Sequence, residues 1–281
     1  MAAFEPSVAE GAVRCQSFPL VLQIRNSRES RRRSDMVPEA ALVPEVEEIE
    51  LISDDGEPLE SNWHRVQINL LIDVVRQAMA RRERTDFFAG GNMFVYFSFE
   101  QAEFVATHPP EAYRHFRGPD FFFASGVDGR GDRGSWVVWK EKGRYPDVIV
   151  ELLSPSTARM DKTTKKDQYE RTFRTPEYFW YDPVKDELQG WRLVAGRYEP
   201  IEADEEGRLR SRELGLLLGR WQGCQTGVEG VWIRFYEPDG ALVPTLAEAE
   251  GHKAEAERRR AEAAEAEVER LRALLSSSGE K

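Results

Sequence analysis

The alternation of apolar and polar positions divides the chain into segments of different period. Residues 61–84 repeat as a helix does. Val66, Leu70, Ile72, Val74, Val75 and Met79 supply one face, and Ser61 or Asn62 stands where a capping side chain belongs. Residues 93–98 and 118–124 are short, aromatic and bounded by glycine, which predicts strands. Residues 148–153 form a β-branched apolar run too short for a helix and so predict a buried central strand. Helical spacing returns from about 158 to 173, after the turn Ser154-Pro155-Ser156-Thr157. Beyond it, 177–183 reads as an aromatic strand stopped by Asp182-Pro183, and 188–194 with 197–201 as a hairpin around Ala195-Gly196. Residues 208–217 and 231–236 read as two more strands. Interleaved helices and strands of this kind predict a mixed α/β fold: a central mixed sheet flanked by helices, with an antiparallel extension.

From Thr245 the composition turns to alanine, glutamate and arginine. Ala254, Ala261, Val268 and Leu275 lie seven apart, with Ala264 and Leu271 in a second seam that Glu257 interrupts. This predicts a charged helix with weak coiled-coil character, and an alanine-rich seam implies that the preceding body folds without it. At the other end, residues 1–35 show no sustained period and close on an arginine-rich run. They read as a disordered extension, with Met36 as an alternative start. The expected division is 1–35 extension, 36–244 folded domain and 245–281 helix. Residues 36–62 form a turn-rich lead-in with a short strand at 48–52.

Composition narrows the classes. The net charge is −11 over 281 residues. Residues 36–62 hold nine acidic and no basic side chains, so the body that follows is near neutral. Strong nonspecific binding of nucleic acid gets no support from the overall balance, although a local basic groove is compatible with it. Two cysteines exclude a disulfide framework and a cysteine zinc site. No segment matches a membrane span or a secretory leader, and a cytoplasmic setting is expected. The glycine-rich run 126–134 lacks the lysine–serine/threonine pair of a phosphate loop and reads as a mobile loop.

Candidate chemistry gathers in 145–169. Glu151 interrupts the apolar run 148–153, where a carboxylate is costly unless paired or bound to a metal. Asp161, Lys165 and Tyr169 follow at four-residue spacing, on one helical face. Asp120 opens an earlier strand. If the two strands are neighbours, Asp120 and Glu151 converge on one hard cation, and Mg²⁺ prefers one or two carboxylates with water and phosphate completing its shell. Lys165 is placed to orient water or to stabilise charge on a phosphate. The alternative is that Glu151 and Lys165 form a buried ion pair holding strand to helix. The Ser154–Thr157 turn reads as a cap, since no nearby histidine would activate a serine.

Taken together, Asp55-Gly56-Glu57-Pro58, His64-Arg65, Gly91 to Tyr96, Pro119-Asp120, Pro146-Asp147 with Glu151, Ser154 to Thr157, Asp161 with Lys165 and Tyr169, and Glu177-Tyr178-Phe179 resemble the Uma-two family of restriction endonucleases, within the PD-(D/E)XK nuclease superfamily. The resemblance spans about 50–240 and implies a restriction-endonuclease-like sheet core. It implies Asp120 as the motif aspartate, Glu151 as the second acid, and both as ligands of Mg²⁺, with Mn²⁺ as a substitute. The motif lysine belongs two residues after the second acid, where Leu153 stands; the resemblance implies that Lys165 replaces it. Asp147 also follows a proline and is the rival first acid. Asp120 is preferred because the superfamily draws its acids from different strands. His64 occupies a position often histidine in the family.

The function expected from this resemblance is metal-dependent endonucleolytic hydrolysis of DNA. One alternative is an inactive nuclease-fold module that only binds nucleic acid. Another is an assembly protein that forms a homo-oligomer through its C-terminal helix.

Overall fold

The computed structural model describes residues 61–108, 118–155 and 157–278, with side chains described as far as residue 272. The expected extension 1–35 and the lead-in with its strand at 48–52 lie outside these residues. Helix α1, Asn62–Arg81, begins where Ser61 accepts a hydrogen bond from the His64 amide. It buries Leu70, Leu71, Val74, Val75 and Met79 on one side, as the helical period requires.

The main sheet contains β1 (Phe87–Gly90), β3 (Phe121–Ser125), β5 (Val148–Leu152), β6 (Glu177–Asp182), β7 (Glu187–Val194) and β8 (Arg197–Pro200), in that spatial order. Only β5 and β6 run parallel. A parallel pair needs a crossover, and the helical segment 158–173, here α3, supplies it. Small satellite strands β2 (Val95–Tyr96) and β4 (Trp136–Val137) pair in parallel beside helix α2 (Phe99–Thr107). A second sheet is formed by β9 (Leu209–Ser211), β10 (Leu216–Gln225) and β11 (Val228–Tyr236).

Alternation along β3 and β5 assigns the two faces of the main sheet. Phe121, Phe123, Val148, Val150 and Leu152 join α1 and the second sheet in one core. Phe122, Ala124, Ile149 and Leu153 join Tyr169, Phe173, Tyr178 and Trp180 in the other, against α3. Glu151 lies between Ile149 and Leu153 in this alternation and therefore faces α3.

Several elements differ from the sequence expectation. The strand expected over 93–98 ends early because Ser98 and Gln101 form a reciprocal cap that starts α2. The Gln101 amide donates to Ser98 Oγ, and the Phe97 amide donates to Gln101 Oε1. The strand expected over 208–217 is broken by a turn at Gly215, whose φ is +64. Its second half becomes β10, which turns through Thr226 and Gly227, both with positive φ, into β11. The loop 126–134 is not loose throughout. Arg133 pairs with Glu141 at 2.6 Å and lies over the rings of Phe88 and Trp136.

The last helix, α4 (Leu246–Ser278), is exposed along nearly all of its described length. Its first turn is different. Thr245 and Glu248 form a capping box: the Glu248 amide donates to Thr245 Oγ1, and the Thr245 amide donates to Glu248. Glu248 also accepts two bonds from Arg234, at 2.9 and 2.6 Å, and Arg234 is fully buried. The first turn of α4 is therefore tied to the body through Arg234.

Candidate active site

Asp120 and Glu151 are cross-strand neighbours. The antiparallel register pairs Phe121 with Val150, and one further step sets Asp120 opposite Glu151, on the same face of the sheet. The Asp120 amide lies 3.4 Å from Glu151 Oε2. Asp120 in turn accepts from the Leu152 amide at 2.7 Å through Oδ2. The two acids are thus coupled through the backbone of each other's strand.

Helix α3 closes over this pair. It is not a plain α-helix: Asp161–Lys165 and Tyr169–Phe173 are π turns, with α turns before and between them. A π turn is wider than an α turn, so residues four apart come closer to eclipsing one another. Asp161, Lys165 and Tyr169 accordingly form a column facing the sheet. Lys165 Nζ is 3.1 Å from Glu151 Oε2, and the Tyr169 hydroxyl donates to Glu151 Oε1 at 2.7 Å. Lys165 Nζ also stands 2.9 Å from Asp161 Oδ1, off hydrogen-bond alignment. The Tyr178 hydroxyl donates to the Asp161 carbonyl and pins the start of the column.

The electrostatics follow from burial. Glu151 is fully buried, and loss of solvent pushes its carboxyl well above the usual carboxylate range, with Asp120 and Asp161 adding repulsion against the pull of Lys165. Burial likewise raises Asp120, although it keeps part of its surface in solvent. For Lys165 burial acts downward, but Glu151, Asp161 and Asp120 outweigh it and hold the ammonium above its ordinary value. Burial and the charge of Glu151 raise Tyr169, which stays a phenol and a donor. Three acids therefore share one ammonium.

His64 stands behind this group rather than in it. Its Nε2 is 3.0 Å from the Leu152 carbonyl, which can only accept, so Nε2 carries the proton. Nδ1 faces Ser61 Oγ at 2.9 Å. Leu152 is held from two sides: its carbonyl by His64 and its amide by Asp120. Asp147 is not brought to the cluster. It lies at the opposite end of β5 and accepts from the Ser125 amide and hydroxyl, with Arg144 at 3.5 Å. It joins β5 to β3 at that end, since four residues of extended strand set it roughly 13 Å from Glu151. Leu153, in the motif lysine position, is buried in the apolar core under α3.

Sequence reasoning did not single out the supports of Asp120. A Cβ on Gly91 would lie 2.0 Å from the Asp120 carbonyl oxygen, and one on Gly118 would lie 1.5 Å from that of Met93. The Asn92 amide, at a positive φ, donates to the carbonyls of Pro119 and Asp120. The glycine–asparagine pair was legible as a turn, but not as the buttress of a strand distant in sequence.

The donor set bears on a metal. Asp120 Oδ1 has no hydrogen-bond donor among the described residues, and the surrounding acids outnumber the cation. Among the described residues no group of three or more histidine, cysteine or acidic side chains is arranged to hold a metal ion. Asp120 and Glu151 are the two carboxylates that could offer oxygens to a hard cation, and both oxygens of Glu151 already accept, from Tyr169 and from Lys165.

A family model, Uma2, described as "Putative restriction endonuclease", matches residues 39–229 of this chain. No curated protein matches it. Among the described residues no helix is long and apolar enough to cross a membrane.

Proposed function

Because the chain belongs to the Uma2 family of restriction endonucleases, we propose that it hydrolyses DNA phosphodiester bonds at the cluster of Asp120, Glu151 and Lys165. The observation that carries this reading is the cross-strand placement of Asp120 and Glu151 beneath Lys165, whose Nζ is 3.1 Å from Glu151. Asp120 and Glu151 would hold a divalent cation, Mg²⁺ or Mn²⁺. Such an ion, when bound, lowers the pKa of water and offsets phosphate charge.

The chain's own residues do the rest. Glu151, Asp161 and Asp120 hold Lys165 as an ammonium above its ordinary value. Its contribution is a fixed positive charge beside the reacting phosphate, where charge develops in the transition state. Asp161 and Tyr169 are positioning residues. Asp161 holds the ammonium from one side, and Tyr169 fixes Glu151 by donating to Oε1. His64 and Asp120 together fix the Leu152 peptide and so the direction of Glu151. A cytoplasmic setting, where DNA is accessible, suits this substrate.

Leu153 at the motif lysine position favours a second reading, a nucleic-acid-binding module without cleavage. Nicking of supercoiled plasmid with Mg²⁺ or Mn²⁺ tests both. We expect metal-dependent nicking that Glu151→Ala abolishes. No nicking with either metal, alongside retained DNA binding, would replace the first reading by the second.

A further inference from the structure

Beyond Ala249 every described side chain of α4 is solvent-exposed. At 33 residues the helix is about 50 Å long. A lone solvated helix gains little from tertiary packing, which supplies most helical stability in proteins. Val268 and Leu271, three residues apart on one helical face, are 46% and 49% exposed. With Ala254, Ala261, Val268 and Leu275 as the first seam, Ala264 and Leu271 fall in the second.

The charges beside this seam select a partner. In a parallel, in-register pair, the residue before each first-seam position meets the residue five further on in the other helix. Arg260 then meets Glu265 of a second copy, and Glu267 meets Arg272 of a second copy. Both contacts join opposite charges, and each occurs twice by symmetry. Lys253 opposite Arg258 is the one unfavourable contact, at the end where Glu257 already breaks the seam. An antiparallel pair that lays Ala261 over Leu271 sets Glu265 against Glu265, Glu267 against Glu267 and Arg258 against Arg272. It repels at each of these contacts. Within the chain, the ion pairs along the helix use Arg258 with Glu262, Arg259 with Glu255 and Arg270 with Glu267. Arg260 and Glu265 enter none of them.

We infer that α4 is a self-association element, which pairs two copies of this chain as a parallel, in-register coiled coil over residues 260–275. The inference does not rest on the nuclease reading. An alanine-rich seam buries little area, so the dimer is concentration-dependent. Parallel pairing places both bodies at the same end of the coil.

Sedimentation equilibrium of the full chain tests it. The expected result is a monomer–dimer equilibrium at micromolar protein. Arg260→Glu should raise the dissociation constant about tenfold, the scale of two exposed ion pairs turned into repulsions. Arg260→Glu with Glu265→Arg should restore it. In a Cys15→Ser, Cys224→Ser background, Leu271→Cys should form a disulfide-linked dimer on oxidation, as parallel register requires. A chain that remains monomeric at about 100 μM, above the range expected for so weak a coil, would overturn the inference. So would a double exchange that fails to restore the dimer, or Leu271→Cys that does not cross-link.

Discussion

Lys165 reaches Glu151 at 3.1 Å across the boundary between helix α3 and strand β5, and it is the one ammonium in a group of three acids. The ion-pair and catalytic readings therefore describe the same contact. Lys165→Ala should lower metal-dependent nicking by roughly 10²–10⁴-fold, as for loss of a positioned electrostatic group. It should also lower stability by about 3–5 kcal/mol, because Glu151 and Asp161 lose their counter-charge. Lys166→Ala is the contrast. Its ammonium lies 3.6 Å from the centre of the Trp191 ring, outside the acidic column. It should cost about 1 kcal/mol or less and leave nicking nearly unchanged. Equal nicking by both variants would remove Lys165 from the mechanism.

Glu151→Gln should abolish nicking while leaving the melting temperature equal to or above that of the parent. A buried carboxylate that shares one ammonium with two other acids is a cost to the fold, and its neutral isostere removes that cost. A drop in melting temperature of several degrees would mean that Glu151 is held for structure.

Gly91→Ala should impair nicking without touching a charged group. The added carbon forces the Asp120 backbone to move, and displacement of a reacting group by about 1 Å costs on the order of 10²-fold in rate. Retention of full activity would show that the Asp120 carboxylate tolerates this shift.

Truncation separates the two parts of α4. Removing everything after Pro244 leaves the guanidinium of Arg234 buried without Glu248, which should cost about 3–5 kcal/mol. Ending the chain after Gly251 keeps the capping box and the pair, and should stay within about 1 kcal/mol of the parent. Urea unfolding of both truncations at one protein concentration is the measurement, and equal losses would deny Arg234 its dependence on Glu248.

The same pair predicts a pH dependence. The hydrogen bonds from Arg234 hold the Glu248 carboxyl below the ordinary glutamate value. A lowered folded-state pKa contributes stability above the unfolded value, about 4.3, and that contribution fades as pH falls from there through the folded value. The stability difference between the parent and Glu248→Gln should be flat from pH 7 to about 5 and shrink below about 4. A difference that persists unchanged to pH 3 would contradict this.

Much of the site was legible because its signals are local. Glu151 in an apolar run announced a buried acid, and the four-residue spacing of Asp161, Lys165 and Tyr169 announced a shared helical face. The family resemblance, matched by residues 39–229, selected Asp120 from among many aspartates. What the sequence did not yield depends on distant register. Asp147 carries the same proline–aspartate signature, and only the antiparallel register of β3 with β5 sets Asp120 opposite Glu151. The cap at Ser98 and Gln101 and the one at Thr245 and Glu248 were both visible as serine/threonine followed three residues later by glutamine or glutamate. The first decided an element boundary that hydrophobic period alone misplaced. The burial of Arg234 had no local sign, since an arginine on a strand reads as a solvent-facing residue.

The two π turns of α3 each hold one residue more than an α turn would. Loss of one residue among Asp161–Lys165 would let the backbone relax into an ordinary α-helix, and the change would be absorbed within that turn. Tyr169 and Phe173 would keep their direction toward the sheet, since the wider turn had already taken up the residue removed. A deletion that would swing half of a plain α-helix by about 100° is here confined to the stretch between Asp161 and Lys165, so this segment can change length without losing its downstream half.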